Sequence, residues 1–322
     1  MAYCPSYDIT PAILELIVSI SEKIGAANAR MLPRRDPVLR KRNRIRTIHS
    51  SLRIEGNTLT EEQINAVIAK KRVAGPAKDI REVINALEVY QDIGEFRPYS
   101  IRDFLRAHGI LMQGLIDHPG SFRTKSVGIV KGSKVQHLAP PASNVRHLIT
   151  ELFGYTKQSD ELTLIKACAC HYEIEFIHPF IDGNGRMGRL WQTVILMGDY
   201  PIFEFLPVES IIERNQKDYY DSLAASDKTG KSTPFIAFML RVMDAALEEV
   251  LAGSEPRLTD RDRLLLFLEA VKGEFTRKDY MRHFPSISAP TASRDLRMAV
   301  EAGLLKRKGD KKTTRYSKKT RK

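Results

Sequence analysis

HPFIDGNGRMGR, residues 178–189, crowds a histidine, a carboxylate, two glycines around an asparagine and two arginines into one turn and a helix start. Gly183 and Gly185 reach backbone conformations closed to other residues, so successive N–H groups around Asn184 can point into one concavity and hold an anion. Leu190, Val194 and Met197 recur at three- and four-residue steps, which starts a helix behind the turn and adds its N-terminal dipole to the anion site. Arg186 and Arg189 stand three apart, neighbours on a helical face, and two guanidinium forks beside such a nest suit a polyphosphate better than a single carboxylate. Asp182 is then the residue to hold Mg2+ against the phosphates. His178 is the only group in the run that takes a proton near neutral pH, so it is the candidate general base.

The whole chain of 322 residues is long enough for two or three domains and a sizeable core. Hydrophobic residues make up 43% and charged residues 28%, the balance of an ordinary soluble protein, and no apolar run approaches a membrane span. The start, MAYCPSYDIT, lacks a basic segment followed by an apolar one, and Cys4, Cys168 and Cys170 do not make a disulfide framework, so a cytoplasmic location is expected. The net charge of +12 is unevenly placed: residues 30–46 hold eight Arg or Lys against one Asp, and residues 306–322 hold ten against one. The remainder is mildly acidic, and each basic patch is a candidate contact for nucleic acid or an acidic partner.

The run at 178–189 is similar to the active-site signature of the Fic family, H-P-F-x-[D/E]-G-N-G-R-x-x-R, with every fixed position matched. The resemblance implies transfer of AMP from ATP to a Ser, Thr or Tyr hydroxyl of a target protein. His178 would deprotonate the attacking hydroxyl and Asp182 would bind Mg2+. Gly183, Asn184 and Gly185 would cradle the α- and β-phosphates, Arg186 would hold the β-phosphate and Arg189 would reach the γ-phosphate.

Toward the N-terminus, Thr10-Pro11 starts a helix carrying Ile13, Ile17, Ile20 and Ile24, which the prolines at 33 and 37 end. A second helix is expected over Arg44 to Ile54, with Gly56 or Asn57 as its left-handed terminator. Thr60 and Gln63 form a capping box for a third, and a fourth runs through Val83, Leu87 and Tyr90. SLRIEG at 51–56 fits the inhibitory pattern [S/T]-x-x-x-E-[G/N] of many Fic proteins, with Ser51 and Glu55 at i and i+4 on one helix face. By resemblance, Glu55 would pair with Arg189 and draw it from the γ-phosphate.

Ile101, Leu105, His108 and Met112 mark the buried face of a helix, after which the period changes. The segment 121–138 reads as a β-hairpin around Gly132-Ser133, preceded by Gly120-Ser-Phe-Arg123 and followed by Pro140-Pro141. Fic proteins carry a flap here, which would hold a target segment by strand addition. Residues 161–176 form an apolar helix, and a zinc site on Cys168, Cys170 and His171 is disfavoured because a two-residue step sends the cysteines to diverging faces. Behind the motif helix, Tyr200 and Asn215 are candidates for adenine or ribose contacts by the same resemblance. Tyr219 and Tyr220 read as core and rim.

After the expected linker Gly253-Ser254-Glu255-Pro256, three short helices and a basic turn at 306–312 resemble a winged helix-turn-helix domain. Arg294 and Arg297 on its third helix would meet DNA. The expected architecture is mainly α in three parts: an N-terminal inhibitory region (1–95), a Fic catalytic core (96–252) and a winged helix (257–318). The alternatives are a DNA-binding regulator whose site senses nucleotide, removal of AMP from a modified protein, and transfer of another phosphate-containing group. No stretch establishes self-association, though relatives of this kind often form homo-oligomers.

Overall fold

The computed structural model describes residues 3–31, 37–126, 128–131, 134–252, 260–271, 273–285, 287–310 and 314–318. The chain divides into two units, Met1–Ser254 and Glu255–Lys322.

The first unit is helical. α1 (Pro11–Met31) opens where Thr10 Oγ1 accepts from the Ile13 N–H at 3.3 Å, and it buries Ile13, Ile20 and Ile24 against the rest of the unit. α2 (Pro37–Ile54) begins seven residues ahead of the expected start, because a proline fits the first helical turn and Pro37 opens the helix instead of breaking it. Part of the first basic patch therefore rides on a packed helix: Asn43 is buried with its Nδ2 donating to the Phe205 carbonyl, and Arg44 pairs with Glu204 at 3.5 Å. Residues 32–36 of that patch lie outside the described residues. α2 ends at Gly56, whose φ of +89° makes it the left-handed terminator in place of Asn57.

α3 (Glu61–Ile68) starts in a reciprocal Thr60–Gln63 capping box, and α4 (Ala77–Gln91) and α5 (Ile101–Leu111) follow. In α5 the buried face is centred on Phe104, Ala107, His108 and Leu111, with Ile101 and Leu105 at its half-buried edges. β1 (Gly128–Lys131) and β2 (Lys134–Leu138) pair antiparallel with a bulge between Ile129 and Val130. Lys131 pairs with Lys134, and the connecting Gly132 and Ser133 fall outside the described residues.

α6 (Ala142–Gln158), α7 (Thr163–Ile177) and α8 (Asn184–Asp199) build the centre, with α7 packed on α6, α8 and a later helix, α11. α7 is buried on nearly every side, so Cys168 and Cys170, expected on diverging faces, both lie in the core. α9 (Val208–Arg214) and α10 (Gln216–Thr229) replace the single helix expected from residue 213. The break is at Asn215, whose Nδ2 donates back to the Ile211 carbonyl at 2.8 Å, the local competition with helical bonding that asparagine offers. α11 (Thr233–Leu251) closes the unit against α1. Because α1 packs on α11, α2 on α9 and α4 on α5, the N-terminal helices share one hydrophobic core with the motif helices.

The second unit consists of α12 (Asp260–Ala270), α13 (Arg277–His283), α14 (Ala289–Glu301) and an antiparallel ribbon, β3 (Leu305–Lys308) with β4 (Arg315–Lys318). Thr276 and Ser288 cap α13 and α14 through their hydroxyls. Among the described residues, no helix is long and apolar enough to cross a membrane.

Candidate active site

α7 and α8 pack against each other, and the six residues joining them form the floor of the site. His178 ends α7 in the left-handed region, at φ +50°, a conformation uncommon for a residue with a side chain. Arg123 holds it there. Its buried guanidinium donates to carbonyls: Nε to His178 at 2.7 Å, Nη2 to Ile177 and Pro140, and Nη1 to Lys125 at 2.9 Å. One side chain thus fastens the 178–183 turn to both feet of the β1–β2 hairpin. The His178 Nδ1 lies 3.3 Å from the Glu175 carbonyl, which can only accept, so Nδ1 carries the ring proton and Nε2 is the basic nitrogen.

The turn itself is braced from beneath. Asn184 closes it with its side chain, accepting from the Phe180 N–H at 2.9 Å and donating to the Phe180 carbonyl at 3.0 Å. His108 stacks on the Phe180 ring at 3.6 Å between centroids and accepts from the Gly120 N–H, which leaves Nε2 to donate to the Asp182 carbonyl at 3.0 Å. Burial pushes the His108 pKa down to about 4, so this brace stays neutral in the physiological range. Gly183 has φ +86°, and a Cβ there would lie 2.8 Å from Met112 Sδ, so both conformation and space demand glycine. α8 then opens with no side-chain cap. Its first-turn N–H groups, at Asn184 and Gly185, are the uncompensated positive end of a sixteen-residue helix.

A cavity of about 260 Å³ stands over that helix start, lined by Glu55, Glu175, His178, Asp182, Gly183, Asn184, Gly185, Arg189, Tyr219 and Tyr220 among others. The structure therefore brings together His178, Asp182, Gly183, Asn184, Gly185, Arg189 and Glu55. Ser51 sits behind them: its hydroxyl accepts from Arg189 Nε at 3.2 Å and its carbonyl from Nη2 at 3.0 Å. Glu55 Oε1 lies 2.7 Å from the same Nη2. Burial pulls the Arg189 guanidinium down, but Glu55, Tyr219 and Glu175 outweigh it and hold its pKa above the ordinary value.

Three expected site residues do not line this cavity. Arg186 does not reach the cavity wall: it is buried against Glu82 of α4 at 3.0 Å and against Asp182 at 3.4 Å, so the two motif arginines serve different neighbours although they share a helix face. Tyr200 terminates α8 and packs on Phe203, a full helix length from Gly183. Asn215 lines a separate groove with Asp218, Phe238 and Arg241. The far wall of the cavity is instead made by Tyr219, Tyr220, Leu223 and Ala224 of α10. Tyr219 is fully buried and Tyr220 exposed, the core-and-rim pair that their adjacency suggests.

Asp182 meets the requirement for magnesium in kind. Its carboxylate is half exposed at the cavity wall, with Oδ1 accepting from the Gly183 N–H at 2.6 Å. Among the described residues there is no cluster of three acidic, histidine or cysteine side chains that could bind a metal, so a magnesium ion here would take its other ligands from phosphate and water, as that ion commonly does.

Glu82 and Glu209 were not singled out by sequence, and both tie α2 to the site. Glu82 accepts from Arg186 with one oxygen and from Asn57, just past Glu55, with the other at 2.8 Å. Glu209 is buried at the head of α9 beside Tyr90 and Thr47, and burial pushes its pKa up to about 7. A folded pKa above the unfolded one means that stability is full below about pH 4.5 and is lost as pH rises through 7. Thermal unfolding is expected to show a falling Tm between pH 5 and pH 8, a loss on the order of 3 kcal/mol. Glu209→Gln should flatten that profile, and an unchanged slope would place the titrating group elsewhere.

Comparison with known proteins agrees with this geometry. Residues 98–196 match the model of the Fic/DOC family. A protein adenylyltransferase, fic-1, of Caenorhabditis briggsae is 29% identical over 241 residues, covering 66% of this chain and 44% of that protein. The protein adenylyltransferase Fic of Drosophila grimshawi is 28% identical over 72% of this chain and 48% of its own length. The chain thus spans about half the length of these curated relatives. The crystal structure of a Fic family protein from Desulfovibrio desulfuricans G20 is 40% identical, covers 99% of both chains and superposes with a TM-score of 0.76. Fic-1 of Caenorhabditis elegans, residues 134–508, shares the fold with a TM-score of 0.57 at 21% identity, over 76% of this chain and 72% of that one. With a complete signature seated on a helix N-terminus and end-to-end likeness to a solved member, this chain belongs to the Fic family.

Proposed function

We propose that this protein is a protein adenylyltransferase that moves AMP from ATP to a hydroxyl side chain of a target protein, and that Glu55 holds it off. The observation that carries the proposal is the Glu55–Arg189 contact at 2.7 Å over the open N-terminus of α8, a carboxylate on the arginine that a terminal phosphate would require. The relatives named adenylyltransferases support the reaction class.

In the reaction the target hydroxyl oxygen bonds to the α-phosphorus, the bond from that phosphorus to the bridging oxygen breaks, and pyrophosphate leaves while His178 Nε2 takes the hydroxyl proton. The α8 N–H groups hold the phosphates, and positioning and charge neutralisation supply most of the acceleration. Magnesium held by Asp182 and the phosphates would neutralise charge on the leaving pyrophosphate. The target strand would add to the β1–β2 hairpin by main-chain bonds, which explains why little in the sequence specifies the target. ATP labelled at the α or γ phosphorus, incubated with the Glu55→Gly form, tests the reaction. Protein label from the α position alone is expected, and γ-label would make the enzyme a kinase.

We also infer that the second unit binds duplex DNA as a winged helix. Support comes from the way α14 is pinned: Asp295, fully buried, accepts from Arg263 Nε at 2.7 Å and from the Tyr280 hydroxyl at 3.1 Å. That fixes the rotation of α14 so that Arg294 and Arg297 are exposed, and Lys306, Arg307 and Lys308 of β3 are exposed as well. Anisotropy with the full chain and a random-sequence duplex should show affinity falling about a hundredfold between ~50 and ~200 mM salt, the slope of about four phosphate contacts. Absence of binding at the lower salt rejects the inference.

A further inference from the structure

The cavity wall carries a carboxylate, that of Glu175, which none of the roles above uses. Glu175 belongs to the last turn of α7, three residues before His178, and its side chain is 12% exposed. A Cβ built on Gly185 would lie 2.6 Å from Glu55 Oε1, 3.2 Å from Arg189 Nη1 and 3.3 Å from Glu175 Oε1. Both carboxylates and Arg189 Nη1 thus surround the same point over the helix start, and the Glu175 charge adds to that of Glu55 in holding the guanidinium protonated. Arg189 Nε and Nη2 are taken by Ser51 and Glu55, whereas buried Nη1 has no hydrogen-bond partner among the described residues.

We infer that Glu175 is a permanent counter-ion of Arg189 that weakens the hold of this arginine on the terminal phosphates of ATP and thereby sets the nucleotide affinity of the site. The inference rests on the reading that Arg189 meets those phosphates. Glu55 lies just past the end of α2, whereas Glu175 is built into a helix buried along its length. A γ-phosphate that takes the place of the Glu55 carboxylate still faces the Glu175 charge.

Two of the groups beside Glu175 are neutral. Tyr219 Oη stands 3.2 Å from Glu175 Oε1 and 3.1 Å from His171 Nε2. Burial pushes the His171 pKa down to about 3, so its imidazole is neutral with one proton, which faces Gln192 Oε1 from Nδ1. Nε2 is then an acceptor, and one hydroxyl proton serves both it and the carboxylate. The arrangement also accounts for glycine at 188, a free position of the family signature: a Cβ there would lie 2.5 Å from His171 Cδ2.

The test is equilibrium binding by calorimetry, with the full chain, of MgATP and of AMP to Glu55→Gly and to Glu55→Gly/Glu175→Gln. Removing the charge should tighten ATP about tenfold, because unit charges a few ångströms apart in a half-buried site interact strongly. AMP, which lacks the terminal phosphates, should change less than about twofold by the same argument. Tyr219→Phe in the Glu55→Gly background keeps the charge and removes the hydrogen bond, so its ATP-to-AMP affinity ratio should stay put. Unchanged or weaker ATP binding by the Glu175→Gln form overturns the inference, as does a ratio shifted equally by Tyr219→Phe, which would trace the effect to packing. Binding is read here and not transfer, so a failure of protein labelling would sink the adenylyltransferase reading without altering this comparison.

Discussion

Glu55→Gly is expected to raise the initial rate of AMP transfer by between about ten- and a hundredfold, the range set by one charge-assisted hydrogen bond to a buried arginine. The contact is partly buried, with the arginine side chain 1% and the glutamate 26% exposed, so solvent weakens it from one side only. Glu55 is the removable partner of Nη2, whose other acceptor is the Ser51 main-chain carbonyl that no substitution deletes. Two comparisons sharpen the expectation. Glu55→Gln keeps an oxygen acceptor facing Nη2 and should release less activity than glycine does. Ser51→Ala removes the weaker hydroxyl contact at 3.2 Å and should release less again. Residue 55 lies beyond the last residue of α2, so glycine there costs little helix. If rates of protein labelling from α-labelled ATP do not rise, Glu55 is a structural partner of Arg189 and not a brake.

The parts of this site that could be read from sequence are those whose chemistry is local. Gly183 is legible because a positive φ leaves its trace in a single residue type, and the Thr60–Gln63 cap because its partners are three apart. Glu55 was found because a six-residue pattern could be set beside a family. Helix spacing puts Arg186 near Arg189, but its buried partner is Glu82, 104 residues away, and nothing local announces that pairing. Tyr200 and Asn215 do not line the cavity, because the chain turns twice between α8 and α10 and counting residues cannot say which of them returns to it. Arg123 illustrates the limit differently. Its acceptors among the described residues are main-chain carbonyls, present at every residue, so its role in joining the hairpin to His178 leaves no signal outside the arginine itself.

His178→Ala, made in the Glu55→Gly background, is expected to lower AMP transfer by about a hundred- to ten-thousandfold, the usual contribution of a positioned general base. ATP affinity should hardly move, because on the proposed reading the phosphates would be held by the α8 N-terminus and Arg189, and the Arg123 bond at this position goes to the backbone carbonyl, which alanine retains. The substitution has a second effect that must be separated from the first. At φ +50° an alanine is strained by about 1 kcal/mol, so a distorted turn could lower the rate by itself. Asparagine tolerates the left-handed region far better than alanine and has no nitrogen able to accept a proton near neutral pH. His178→Asn should therefore recover thermal stability and remain as inactive as His178→Ala. Recovery of activity by asparagine would mean that the turn's shape, and not proton transfer, is what residue 178 contributes, and the reaction would then need another base.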